Sequence, residues 1–172
     1  PIYECEGWEA DDILGTAGEI CAREGEDCVI VTGDRDSLQL VTDRVTVKLV
    51  TSKSGQTITT NYTPDVFRAE YGFDPVRLVD LKSLMGDSSD NIPGVAGIGP
   101  KTATSLLLEY GTLDGIYEHL PEIKESVRKK LEKDREQAYL SYDLATIRKN
   151  APVDFIPERN LVREVDNDAL YA

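Results

Sequence analysis

The chain has 172 residues, of which 40% are hydrophobic and 30% charged, and its formal net charge is −13. This composition suits one globular domain, or a core with a helical addition, and excludes a chain that is disordered by composition. No apolar stretch approaches membrane length and no signal peptide opens the chain, so no membrane partner is expected. The acidity argues against a general nucleic-acid binder, which is usually basic, unless cations neutralise acids at a localised site.

Cysteine and histidine usage narrows the possible chemistry. Cys5, Cys21 and Cys28 are odd in number and lack paired metal-ligand spacing. They are typical of thiols in a reducing compartment, so we expect a cytoplasmic protein. His119 is the only histidine and is expected at the surface, which rules out histidine-rich zinc sites and a histidine-based triad within this chain.

The first predicted helix begins with an acidic cluster. Apolar residues recur at helical spacing after Trp8, and Gly25 predicts where the helix ends. Glu9, Asp11 and Asp12 fall in the first turn, where carboxylates favour the helix dipole. Capping explains one such acid, but three acids in four positions are more than a cap needs, so the cluster also suits metal ions.

A strand and a hairpin are predicted next. Residues 27–32 form a short β-branched run typical of a buried strand, and a helix leading into such a strand indicates a parallel α/β sheet. Asp34 and Asp36 follow that strand, where ligands gather in open α/β sheets, although either one alone also suits a helix cap. Residues 45–50 and 56–59 are predicted to form a β-hairpin, and no functional residue is predicted in it.

The second half of the chain is predicted to be helical. Proline and glycine punctuation marks its helices, which span residues 63–72, 74–86, 100–110, 113–120 and about 122–149. In the second of these, the stripe Val76, Val79 and Leu84 is predicted to be core. Residues 150–172 are acidic and proline-punctuated, and we expect an extended tail over the core.

Between two of these helices lies a glycine-rich stretch, residues 86–102. It opens with Asp87 and Asp90 and ends with Pro100 and Lys101 at the start of a helix. Free N–H groups at a helix start, with a lysine beside them, suit a phosphate group. The stretch almost matches a nucleotide-binding P-loop, but Pro100 separates the required glycine and lysine and no strand precedes it.

A helix–hairpin–helix explains this stretch better. The turn Gly97-Ile98-Gly99 lies between two helical segments, and such turns hold phosphates through backbone N–H groups without reading base sequence. The two aspartates at the start of the stretch and the phosphate site at its end together predict metal-assisted chemistry on a phosphodiester.

Seven acids thus lie at predicted loop or helix-start positions: Glu9, Asp11, Asp12, Asp34, Asp36, Asp87 and Asp90. Clustered carboxylates repel one another, so cations are expected to hold them together. All-oxygen ligation favours Mg²⁺ or Mn²⁺ over zinc. Two such ions about 4 Å apart can generate hydroxide and stabilise the leaving oxygen in phosphodiester cleavage.

Three motifs carry a resemblance to a known family: residues 9–12 (EADD), residues 33–40 (GDRDSLQL), and residues 85–95 (MGDSSDNIPGV) with 97–103 (GIGPKTA). In order and spacing they resemble the 5′-nuclease domain of bacterial DNA polymerase I, whose family includes phage 5′-exonucleases and flap endonucleases. The resemblance runs from about residue 3 to about residue 150.

The resemblance implies a role for each site residue. A first metal would be held by Glu9, Asp11 and Asp34, with Asp12 supporting them. A second, more water-mediated site would use Asp36, Asp87 and Asp90. The duplex backbone would be contacted by Gly97, Gly99, Lys101 and Thr102. A potassium ion bound to backbone carbonyls of the hairpin is also implied.

The resemblance further implies hydrolysis of 5′ ends and flaps, as in removing RNA primers and repairing nicks. The implied partner is DNA with 5′ flaps, nicks or RNA primers. We expect an α/β fold with a partial, mostly parallel sheet (residues 1–84) and a helix–hairpin–helix subdomain with the tail (residues 85–172). Family members carry a preceding segment with further metal-site aspartates, so we expect a C-terminal part of the nuclease that is weak or inactive alone. The remainder of the polymerase chain is then an expected partner, and we expect an exposed apolar face that favours self-association.

Two other functions stay open. The chain also suits a non-catalytic module that binds DNA structure, or an acidic cation-binding protein without a nucleic-acid partner.

Overall fold

The structure, a computed structural model, describes residues 1–53 and 55–164. Within them lie three strands, β1 Cys28–Thr32, β2 Val45–Lys53 and β3 Gln56–Tyr62. The α-helices of the same residues are α1 Ala10–Glu24, α2 Pro64–Tyr71, α3 Leu78–Met85, α4 Pro100–Tyr110, α5 Leu113–Glu118, α6 Glu125–Lys133 and α7 Arg135–Ala145. None of the described helices is long and apolar enough to cross a bilayer.

The sheet is small and mixed. Its order is β1-β2-β3, with β1 parallel to β2 and β2 antiparallel to β3. Helix α1 leads into β1, the short 3₁₀ helix Arg35–Leu40 connects β1 to β2, and both pack against these strands. The predicted α/β class and the hairpin are therefore found, with the loop residue Ser54 outside the described residues.

Strand β1 is not buried on both faces, so that prediction was wrong. Ile30 is 3% exposed on the core side, whereas Val29 and Val31 are 58% and 61% exposed on the other. Successive side chains of a strand point to opposite faces, and a run of apolar residues does not reveal whether both faces are covered. Here β1 is an edge strand of the described sheet.

Predicted helix ends agree well with the structure where a cap specifies them. Gly25 and Gly72 end α1 and α2 with φ angles of 82° and 84°, and the Thr63 hydroxyl accepts a hydrogen bond from the Val66 N–H. The predicted core stripe of the next helix is only partly right, because Val76 is 51% exposed. Val76 lies in a separate 3₁₀ turn before α3, which does not continue the helical face.

The long helix predicted from residue 122 is divided in two. Its halves are α6 and α7, and Asp134 lies at the junction. The Asp134 carboxylate accepts a hydrogen bond of 2.9 Å from the Ala96 N–H, and the Leu131 carbonyl accepts one of 3.0 Å from the Tyr117 hydroxyl. Both contacts come from residues distant in sequence, which the amphipathic pattern of the helix does not show.

Helix α3 lies at the centre of the molecule. It packs against α7, α4 and the 3₁₀ helix that follows β1, and Leu84 is fully buried within the main core. After α3, the backbone of Gly86 touches that of Gly94, and a Cβ atom at Gly94 would come within 2.3 Å of the Gly86 nitrogen. Both glycines have positive φ angles. This backbone contact closes the loop that carries Asp87 and Asp90.

Residues after α7 return to α1. The Ala151 N–H donates to the Thr16 hydroxyl at 2.9 Å, and the Asn160 amide donates to the Tyr3 hydroxyl at 2.9 Å. Apart from the 3₁₀ turn Pro157–Asn160, this segment has no regular secondary structure. The predicted tail is thus seen up to residue 164, and residues 165–172 lie outside the described residues.

Candidate metal centre

The acids predicted from three separate stretches meet at one cavity. This cavity of about 360 Å³ is lined by six of them, namely Glu9, Asp11, Asp12, Asp34, Asp36 and Asp90. The seventh, Asp87, has a carboxylate oxygen within 4.8 Å of oxygens of Asp36 and Asp90. The start of α1, the end of β1 and the loop after α3 therefore contribute to one acidic site.

At the start of α1, two of the acids cap the helix. Glu9 is the N-cap residue, its carboxylate accepts from the backbone of Asp12, and the Asp12 carboxylate accepts from the Glu9 N–H at 3.3 Å. This reciprocal capping box leaves Asp11 as the acid without a capping role. Burial raises the pKa of Asp11, and the neighbouring charges of Asp34 and Asp36 raise it further. Such repulsion is relieved when a cation binds.

Asp12 is held by Arg148, which lies three residues after the end of α7. Its carboxylate accepts from the Arg148 backbone N–H at 2.8 Å and from the guanidinium at 2.6 and 3.2 Å. The guanidinium also lies 4.1 Å from the centre of the Trp8 ring. Burial alone would raise the pKa of Asp12, but these hydrogen bonds outweigh it and the pKa is lowered. Asp12 therefore supports the site by joining α1 to the segment after α7.

Asp34 and Asp36 are placed by the 3₁₀ helix after β1. Asp34 is its N-cap, and its carboxylate accepts from the Asp36 N–H at 2.8 Å. The intervening Arg35 points away from both acids and donates to Glu70 at 2.6 Å and to the Tyr71 hydroxyl at 3.0 Å. The nearest guanidinium in sequence is thus paired elsewhere, and it does not neutralise the two carboxylates.

Asp87 and Asp90 share a lysine with Asp36. The Lys82 ammonium hydrogen-bonds Asp36, lies 2.7 Å from an Asp87 oxygen and lies 3.7 Å from an Asp90 oxygen. The hydrogen bond from Lys82, followed by that from Ser89, lowers the pKa of Asp87 to about 2. The pKa of Asp36 is nevertheless raised, chiefly by burial.

The donor chemistry of this site fits a hard divalent cation. Its candidate ligands are all carboxylate oxygens, and those of Asp36, Asp87 and Asp90 are close enough for one ion to touch all three. Neither Lys82 nor Arg148 was predicted to belong to the site. Lys82 is a lysine within an apolar helix, five positions before Asp87, and this pattern could have indicated that it belongs to the site. Nothing near Arg148 in the sequence indicates that it pairs with Asp12.

The predicted hairpin lies between the acidic loop and α4. Gly99 is the N-cap of α4, Pro100 is its first residue, and Lys101 is exposed. The Gly97 carbonyl accepts from the Lys130 ammonium at 2.9 Å. Helix starts have N–H groups without partners inside the helix, and here they stand beside a lysine. Gly97 and Gly99 thus lie just before α4, and Lys101 and Thr102 lie in its first turn.

Two family models together match residues 1–168. The first is described as 5′-3′ exonuclease, N-terminal resolvase-like domain, and matches residues 1–72; the second is 5′-3′ exonuclease, C-terminal SAM fold, and matches residues 73–168. The chain belongs to the 5′-3′ exonuclease family. The two matches meet between residues 72 and 73, whereas the sequence-based division between residues 84 and 85 stays a prediction.

Individual relatives agree with this assignment. The chain is 44% identical over 171 residues to DNA polymerase I of Caldicellulosiruptor bescii, covering 99% of this chain and 20% of that protein. It is 48% identical over 155 residues to DNA polymerase I of Bacillus caldotenax, covering 90% of this chain and 17% of that protein. The chain therefore spans about a fifth of the length of these relatives.

Solved structures show the same fold. A T5 5′-exonuclease with bound zinc superposes with a TM-score of 0.72 at 25% identity, over 84% of this chain and 52% of that one. The catalytic core of Rad2 in complex with DNA substrate gives a TM-score of 0.52 at 19% identity, over 86% of this chain and 52% of that one. The predicted family and fold class are confirmed.

Proposed function

We propose that this chain supplies the metal-binding carboxylates and the DNA-binding hairpin of a 5′-3′ exonuclease and flap endonuclease in a DNA polymerase I. The observation that carries the proposal is the convergence of acids from three distant stretches on one cavity. The names of the relatives support it, since they include DNA polymerases I and a 5′-exonuclease with bound divalent ions. A cytoplasmic location goes with it and is consistent with three free cysteines.

The proposed ligand sets follow the grouping of the acids. Glu9, Asp11 and Asp34 would hold a first ion, with Asp12 as their support. Asp36, Asp87 and Asp90 would hold a second. Mg²⁺ or Mn²⁺ held by these residues would lower the pKa of a coordinated water and would supply positive charge that stabilises the leaving oxygen.

Several side chains in and beside this cavity would contribute to that reaction. Asp11, half-buried beside the charges of Asp34 and Asp36, provides negative charge that favours cation binding. Arg148 fixes the carboxylate of Asp12, which in turn holds the first turn of α1 in place. The apolar residues Ile92 and Ile147 form part of the cavity wall beside these acids.

The hairpin would hold the DNA backbone beside this cavity. Its proposed contacts are the first-turn N–H groups of α4, the flexible turn at Gly97 and Gly99, and the Lys101 and Thr102 side chains. These contacts recognise phosphates without base specificity, as suits 5′ flaps, nicks and RNA primers. A potassium ion at the turn would have to share or replace the Lys130 ammonium on the Gly97 carbonyl.

Cleavage of a 5′-flap duplex in Mg²⁺ tests the proposal, measured on the full-length product of the gene and on the 172-residue chain. Asp34→Asn and Asp87→Asn in the full-length protein should each lower kcat by about a hundredfold or more, because each removes a proposed ligand of a metal ion that would stabilise the charge of the transition state. Asp65→Asn is the matched control, since Asp65 is 95% exposed on α2. Equal activity of all three variants would contradict the proposal.

A non-catalytic DNA-binding role is the second candidate, because the hairpin is held by contacts with Lys130 and Asp134 that do not involve the acidic cavity. Binding of the uncleaved flap duplex in Ca²⁺ separates the two functions. The catalytic proposal requires that Lys101→Ala weakens binding while Asp34→Asn removes cleavage. A wild-type protein that binds the duplex but never cleaves it in Mg²⁺ or Mn²⁺ would establish the alternative.

A further inference from the structure

Lys82 occupies the centre of the Asp36–Asp87–Asp90 cluster. It lies on α3 and is 7% exposed. Its ammonium hydrogen-bonds Asp36 and Asp87 and forms a longer ion pair with Asp90 at 3.7 Å. In the described part of the chain, these three acids make no ion pair with any other basic side chain. The lysine is therefore the counter-charge of this cluster.

A divalent ion and this ammonium compete for the same oxygens. Mg²⁺ requires oxygen ligands at about 2.0–2.1 Å in near-octahedral geometry. The three carboxylate oxygens lie within 4.8 Å of one another, and the ammonium, with its three donors, already lies against them. Two cations at such a distance repel each other strongly where little water screens them. An ion that binds all three acids must therefore displace Lys82.

The side chain is able to leave. A lysine has a flexible four-carbon stem, so its ammonium can turn aside without a change in the backbone of α3. The cluster reaches solvent at Asp90, whose side chain is 51% exposed, so the ammonium can turn towards water on that side. Leaving costs free energy, because the ammonium gives up two hydrogen bonds to carboxylates, which are stronger than neutral ones.

We propose that Lys82 is a positioning residue that occupies the second metal site in the resting protein and so sets its affinity for divalent ions. This inference rests on the proposed function, since it concerns the same carboxylates. The site accepts an ion only in the fraction of molecules whose ammonium has moved out. The measured dissociation constant is then the intrinsic one divided by that fraction. Lys82 thus keeps the three carboxylates together when no ion is bound and weakens ion binding when ions are present.

Mn²⁺ binding to the full-length protein without DNA tests this inference, followed by electron paramagnetic resonance of free Mn²⁺. Lys82→Met is nearly isosteric and uncharged, and it should tighten Mn²⁺ binding at the weaker of the two sites by about ten- to a hundredfold. This is the change expected if the Lys82 ammonium has left the site in roughly 1–10% of wild-type molecules. Lys129→Met is the matched control, because Lys129 is 70% exposed and pairs only with Glu125 among the described residues. It should leave Mn²⁺ binding unchanged.

Thermal unfolding distinguishes competition from a merely structural role. Without divalent ions, Lys82→Met should lower the Tm, since three carboxylates lose their counter-charge. Added Mn²⁺ should then raise the Tm of this variant more than that of the wild type, because a tighter ligand stabilises the folded state more. Lys82→Gln provides a second variant if Lys82→Met fails to fold even in Mn²⁺. The double variant Lys82→Met/Asp87→Asn should lose the gain in Mn²⁺ affinity.

Unchanged or weaker Mn²⁺ binding in both Lys82 variants would overturn the inference, even if the wild type cleaves flaps normally. Conversely, tighter Mn²⁺ binding in a protein that never cleaves DNA would support the role of Lys82 and contradict the proposed function. The two failures are therefore distinguishable.

Discussion

Two buried serines of this core differ in whether their hydroxyl groups make hydrogen bonds. Ser37 and Ser141 are both fully buried. The Ser141 hydroxyl accepts from the Gly94 N–H at 2.9 Å and donates to the Gln137 carbonyl at 2.7 Å. The Ser37 hydroxyl has no hydrogen-bond partner among the described residues. A buried polar group stabilises a fold only when its hydrogen bonds are made.

Replacing each serine by alanine should therefore give different results. Ser141→Ala leaves the Gly94 N–H without a partner and should lower the free energy of unfolding by about 1–3 kcal/mol. Ser37→Ala removes an unsatisfied hydroxyl and should change the free energy of unfolding by less than about 1 kcal/mol. Urea denaturation followed by circular dichroism measures both. Equal losses in the two variants would contradict this assignment.

The ion pair between Arg148 and Asp12 joins residues far apart in sequence, and Asp12 is 5% exposed. Arg148→Met should lower the free energy of unfolding by roughly 2–3 kcal/mol, because a buried carboxylate loses a charged hydrogen-bond partner. Arg44→Met is the control, since its pair with Asp27 is largely exposed and should contribute less than about 1 kcal/mol. A loss no larger than the control's would show that Asp12 is well solvated.

At the scale of elements, Tyr117 joins α5 to the last turn of α6, next to the break between α6 and α7. Its hydroxyl donates to the Leu131 carbonyl at 3.0 Å, near the end of α6. Burial raises the pKa of Tyr117 to about 12, above the unfolded value of about 10. The folded state therefore keeps the proton over a pH range in which the unfolded state loses it. Stability from this group is fully present below pH 10 and is lost as the pH rises towards 12.

Tyr117→Phe isolates this pH dependence. At pH 8 the variant should be less stable than the wild type by about 1 kcal/mol, the value of the lost hydrogen bond. Above pH 10 the difference should shrink by about 1.4 kcal/mol per pH unit, because phenylalanine does not titrate. Guanidinium denaturation of both proteins between pH 8 and 11 measures it. A difference that stays constant with pH would mean that Tyr117 ionises equally easily in both states.

The elements that the sequence predicted well are those with a local cap. Gly25, Gly72 and Thr63 each specify a helix end through their own backbone or hydroxyl group. The break at Asp134 was missed because its partner, the Ala96 N–H, is 38 residues away. The acids of the site were predicted from motif spacing, and the structure brings them together. Their basic partners were not predicted, since Lys82 and Asp36 are 46 residues apart.

At the scale of the whole molecule, the net charge opposes self-association and the exposed edge of the sheet favours it. The net charge of −13 makes copies of the chain repel one another at low ionic strength. Strand β1, in contrast, lies at the edge of the described sheet and exposes Val29 and Val31 on one face. Exposed apolar edge strands are prone to pair with another chain unless charges block them. Self-association should therefore depend on salt.

Sedimentation velocity of the 172-residue chain tests this balance. Raising the salt concentration from about 0.01 M to 1 M shortens the screening length from about 30 Å to 3 Å, so the association of the wild type should strengthen as repulsion is screened. Val31→Lys should abolish association at every salt concentration, because it places a charge on the exposed face of β1. Val66→Lys, at a position that is 40% exposed on α2, adds the same charge away from the strand and should behave like the wild type. If Val66→Lys suppresses association as strongly as Val31→Lys, overall charge rather than the edge of β1 controls the interaction.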